Sequence, residues 1–73
     1  MIEEELFGRF YLVLWRIGVG KKGGGSWNFT IKDTYTEKGF VGSEPGLSQA
    51  SFERARAAAR RWAIRIQNKT PRR

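Results

Sequence analysis

Arg54, Arg61 and Arg65 stand seven and four residues apart in helix-forming sequence, so at a hundred degrees per residue their guanidinium groups project in one direction. A guanidinium is a planar, permanently charged fork suited to carboxylate or phosphate oxygens. Arg56 and Arg60 flank the opposite, apolar stripe, and no acidic residue follows Glu53. A solvated helix ordinarily interleaves charges of both signs, because opposite charges four apart stabilise it slightly and like charges do the reverse. The ridge from Arg54 to Arg65 is about 16 Å long at 1.5 Å per residue, comparable to several phosphate spacings on a duplex strand. The competing reading is a solvated face that binds nothing.

Other residues carry weaker versions of the same chemistry. Lys21 and Lys22 open the run KKGGG, whose backbone N–H groups would suit a phosphate, although the spacing and following helix of a phosphate-binding loop are missing. A hairpin tip is the simpler reading. Asn28, Thr30 and Lys32 alternate along one side of a strand-like stretch, and Tyr11 and Trp15 supply rings on which bases stack. Glu3, Glu4 and Glu5 form a carboxylate cluster without a base or metal partner, which reads as an exposed end rather than a catalytic site. With neither cysteine nor histidine, the chain lacks disulfides, thiolate ligands, the commonest general base and the commonest metal ligand. No catalytic, cofactor-binding or metal site is expected, and the chain is not expected to be an enzyme.

The element that positions the arginines is an amphipathic helix over about residues 48–67. Phe52, Ala55, Ala59, Trp62, Ala63 and Ile66 fall in one stripe about a third of the circumference wide, with Trp62 as the expected core anchor. Ser48 serves as the cap, Leu47 and Phe52 fit a hydrophobic staple, and Asn68 with Pro71 supplies the stop. Before it, RFYLVLWRI and SWNFTIKDT read as strands, and residues 35–41 as a shorter third. Residues 18–25 form a glycine-rich hairpin loop, and GSEPG turns the chain into the helix. The fold class is thus α+β: a three-stranded antiparallel sheet (β-β-β-α) over about residues 9–42, with one C-terminal amphipathic helix packed on one face and a basic tail at 68–73. Seventy-three residues make one domain.

Trp27, Phe29 and Ile31 should meet the helix, leaving Asn28, Thr30 and Lys32 on the open side. The first strand is apolar on both faces, with Tyr11 and Trp15 the better outward set because each has a polar tip. That leaves an apolar surplus, to be covered by the N-terminal IEEELF segment, a second subunit or a ligand; a homodimer is the expected form.

This order of elements resembles the DNA-binding domain of AP2-type transcription factors and the arm-site-binding N-terminal domain of tyrosine recombinases. The likeness rests on Trp27 in the middle strand, Gly39 and Phe40 in the last, and the alanine-rich helix entered through Ser48, and covers about residues 9–67. It implies that the helix-free sheet face enters the major groove. AP2 strands are studded with base-reading arginines, whereas the second strand here offers Asn28, Thr30 and Lys32.

A net charge of +7 on so small a chain is the electrostatic footprint expected for a polyanion partner. The acidic start MIEEE is unlike a signal peptide, and the run from Phe10 to Trp15 falls far short of the roughly 20 residues that cross a bilayer, so a cytoplasmic location without membrane association is expected. The function read from the sequence is a small basic nucleic-acid-binding module, regulatory or accessory, with DNA ahead of RNA and phosphate contacts dominant. The alternative is a protein-interaction module, an inhibitor or assembly factor, that docks its basic surface on an acidic protein.

Overall fold

The computed structural model describes residues 1–20 and 24–69. Four strands precede one helix: β1 (Ile2–Leu6), β2 (Phe10–Ile17), β3 (Ser26–Asp33), β4 (Gly39–Pro45) and α1 (Gln49–Lys69). They form an antiparallel sheet in the order β1-β2-β3-β4, with α1 across one face. The class is α+β, as the sequence implies, but the sheet has four strands and not three. The extra strand is the acidic N-terminal stretch. Glutamate is a poor strand former, so the pattern conceals it; at a sheet edge, backbone pairing and the alternate apolar residues outweigh that propensity. Ile2 pairs with Leu14, Glu4 with Leu12 and Leu6 with Phe10, which turns Ile2, Glu4 and Leu6 toward the helix and buries Leu6. The connecting turn has positive φ at both Phe7 and Gly8, a backbone that glycine adopts freely and phenylalanine only under constraint. The Phe7 ring supplies one such constraint, standing edge-on to Phe10 with centroids 6.2 Å apart.

The two-faced β2 is oriented by its neighbours. Phe10, Leu12 and Leu14 are fully buried beneath the helix with Phe29 and Ile31 of β3, while Tyr11, Val13, Trp15 and Ile17 point to the open side. Trp27 joins this core from β3, its ring 4.9 Å from that of Phe52.

The last strand begins four residues later than its sequence pattern suggests, at Gly39 rather than Tyr35, because Asp33 folds residues 34–38 into a turn. Its carboxylate accepts hydrogen bonds from the Tyr35 N–H at 3.0 Å and the Thr36 hydroxyl at 2.9 Å, and its own N–H donates to the Lys38 carbonyl at 2.8 Å. An Asx-type turn of this kind competes directly with strand pairing. The strand then runs on through residues 42–45, where the glycines and proline of GSEPG imply a turn. Gly42 is required there by close approach: a Cβ on it would sit 2.6 Å from the Phe29 ring.

Ser48 caps α1, its hydroxyl accepting the Ser51 N–H at 3.2 Å. The helix continues to Lys69, two residues past the expected end; residues 70–73, including Pro71, lie outside the described residues. Ala55, Ala59 and Ala63 are completely buried, one turn apart, and their small side chains set the helix close on the sheet. Trp62 is half-buried rather than central, its ring 5.8 Å from Phe10 and 6.2 Å from Phe40, nearly parallel to the latter at 12°. Because the alanine seam leaves no slack, Ala59→Leu is expected to overpack it and cost about 2 kcal/mol. A thermal melt checks this: a midpoint within a degree or two of wild type would show that the seam can open without loss.

Candidate nucleic-acid interface

The elements separate the candidate residues onto two opposite faces. Arg61 and Arg65 project from the outward face of α1, exposed, and make no ion pair or hydrogen bond among the described residues; Arg60 beside them is likewise exposed. Arg54 shares their direction but is engaged. Its Nε donates to Glu44 Oε1 at 3.2 Å and its Nη2 to the Ser51 hydroxyl at 3.3 Å, so part of its charge is met before any ligand arrives. Arg56 turns the other way, to Glu4 on β1 at 2.8 Å. The free cationic surface of the helix therefore lies in its C-terminal half, with Ile64 exposed among the arginines.

Tyr11, Trp15, Asn28, Thr30 and Lys32 come together on the open sheet face. Lys32 is the cation among them, and Glu3 and Glu5 of β1 share the same face through their pairing with Val13 and Tyr11. The Tyr11 hydroxyl donates to Glu3 at 2.5 Å, and this bond, followed by burial and the carboxylate charge, lifts the phenol pKa above its ordinary value of 10.0. Asn28 accepts the Ser26 hydroxyl at 2.6 Å. With Val13, Trp15, Ile17 and Val41 around them, this face is apolar and weakly acidic. Lys21 and Lys22 lie outside the described residues.

A third location was hidden from the sequence. Thr36 and Lys38 from the β3–β4 turn and Gly39 at the start of β4 face Trp62, Ile66 and Lys69 of α1 across a cleft of about 370 Å³ that Asp33 also lines. Lys38 and Lys69 are exposed at its rim and have no ion-pair partner among the described residues. Lys38 and Trp62 are 24 positions apart in the chain, and no periodicity within either element announces that they meet.

The Asp33 carboxylate adds no free negative charge there. Arg9 Nε donates to Asp33 Oδ1 and Arg9 Nη2 to Oδ2, both at 2.8 Å, and both side chains are almost wholly shielded from solvent. Arg9 Nη1 reaches Gln67 Oε1 at 3.1 Å, and its guanidinium lies 5.1 Å from the Phe10 ring centre and 4.8 Å from that of Tyr35. The hydrogen bonds from Arg9 hold the Asp33 pKa far below the ordinary carboxylate range against the opposing effect of burial, aided by the Tyr35 N–H and Thr36 hydroxyl. The same hydrogen bond to Asp33 raises the Arg9 pKa above its ordinary value.

Among the described residues no helix is long and apolar enough to cross a membrane. No protein-family model matches the chain, and no curated protein or solved structure is significantly similar to it.

Proposed function

We propose that the chain is a nucleic-acid-binding module that holds phosphates on the outward face of α1. The observation that carries this reading is the bare cationic surface of the helix after Glu53: Arg60, Arg61 and Arg65 are exposed and unpaired among the described residues, while Glu4, Asp33 and Glu44 are each taken up by another arginine. Unneutralised guanidinium groups repel one another, and a row of phosphates relieves that repulsion while releasing counterions. The open sheet face supports a groove-reading role less well, since Lys32 stands there against Glu3 and Glu5. Contacts to phosphate position a protein without reading sequence, so binding with little sequence preference is expected.

The test is the salt dependence of binding to a short duplex and a short single strand. Each phosphate neutralised on a duplex contributes about 0.9 to the slope of log K against log salt, so Arg61→Gln/Arg65→Gln should flatten it by about two units. Arg54→Gln should change it less, because Glu44 already meets that guanidinium. An unchanged slope in the double variant would move the contact elsewhere, with Lys32→Gln/Trp15→Ala as the variant for the sheet face. Absence of any binding at low salt would replace the proposal with the acidic-protein reading.

A further inference from the structure

Resting on the proposed nucleic-acid role, we infer that the cleft between the β3–β4 turn and the end of α1 receives one unstacked base of a single strand, with its phosphate between Lys38 and Lys69. Three independent features converge there. The first is shape: about 370 Å³ lies within the range of small-ligand sites and is lined on the helix side by Trp62 and Ile66. The second is rigidity. The indole of Trp62 is held by Phe40 nearly parallel to it and by Phe10 edge-on, so the cleft wall does not have to be ordered when a ligand enters.

The third feature is charge continuity. Arg61, Arg65 and Lys69 follow one another at intervals of four, rising about 6 Å along the axis at each step. Four residues turn the helix by about 400°, so each cation is displaced by about 40° from the one before, and the displacement runs toward Trp62. The row thus leads from the outward face into the cleft, where Lys38 completes it from the turn. A strand laid on this row carries its phosphates to the rim and a base to the indole. A duplex engages the arginines alone, since its bases are stacked and unavailable. The Asp33 carboxylate in the lining does not compete: it is occupied by Arg9, Tyr35 and Thr36.

Three probes test the inference on the full chain by fluorescence anisotropy: a twelve-nucleotide oligothymidylate, a twelve-base-pair duplex and a twelve-unit abasic strand. The thymidylate should bind about tenfold or more tightly than the abasic strand, the ratio expected for one stacked base. Lys38→Gln/Lys69→Gln should weaken both single strands by about tenfold and leave duplex affinity within about threefold. Trp62→Phe, which keeps an aromatic ring and hence the fold, should lower the thymidylate-to-abasic ratio without changing abasic binding. Equal affinity for the thymidylate and abasic strands, or a lysine variant indistinguishable from wild type, overturns the cleft while leaving the helix-ridge proposal standing. Failure of all three probes to bind overturns both.

Discussion

Asp33→Ala should lower the thermal midpoint by more than about 10 °C or abolish the cooperative transition, because removing one member of a buried ion pair strands its partner and costs on the order of 3 kcal/mol or more. The carboxylate holds more than Arg9. It also accepts from Tyr35 and Thr36, so the alanine variant loses the β3–β4 turn with the pair. The pH dependence follows from the sign of the shift. A carboxyl whose pKa is depressed by folding contributes stability in full above its ordinary value of 3.8, and that stability is lost as pH falls through the lower folded value. The wild-type midpoint should therefore hold steady with respect to this pair down to about pH 4 and fall progressively below it. Calorimetric scans from neutral to strongly acidic pH check both statements. An Asp33→Ala protein that melts like wild type at pH 7 would show that the pair balances its own desolvation.

Phe10→Ala is the second large effect, expected to cost about 3–5 kcal/mol. A protein of this size has a total stability of only about 4–11 kcal/mol, so the variant is expected to lose from about a quarter to all of it. Phe10 is completely buried at the start of β2, where Phe7, Trp62 and the Arg9 guanidinium all rest on its ring. Its loss removes the support of the Phe7–Gly8 turn, the helix and the ion pair together. Phe40→Ala provides the comparison: Phe40 is 42% exposed and should cost less than half as much. Denaturant titration of the two variants distinguishes them, and equal midpoints would refute the assigned hierarchy.

What the sequence made legible was whatever is written in periodicity. The helix stripe, the Ser48 cap and the alternation of Trp27, Phe29 and Ile31 each depend on neighbours within one element, and the structure places them accordingly. The outward set of β2 is less plainly written, since both of its faces are apolar; its pairing with β1 and β3 turns Tyr11 and Trp15 outward. Features that depend on distant residues were not legible. β1 is a strand because β2 offers it an edge, against the preference of its three glutamates. The β4 start is set by the Asp33 side chain rather than by the strand-like composition of residues 35–41. Arg9 adds to the net charge of the sequence but is met by Asp33 in the fold, and Arg54 belongs to the ridge by periodicity but is met by Glu44. The cleft belongs to the same class, since it exists only where the turn and the helix end approach each other.

The meander has a consequence for the order in which the molecule assembles. Every strand pairs with its neighbour in sequence, so each pairing closes a short loop at low entropic cost, and the sheet can grow one hairpin at a time. The bonds from Arg56 to Glu4 and from Arg9 to Gln67 are of another kind, joining positions 52 and 58 residues apart. They form only after α1 has docked on the sheet, and they tie it to β1 and to the β1–β2 turn. Helix docking is therefore expected to follow sheet formation, and its reversal would break both of these long-range bonds together while leaving β1 paired with β2.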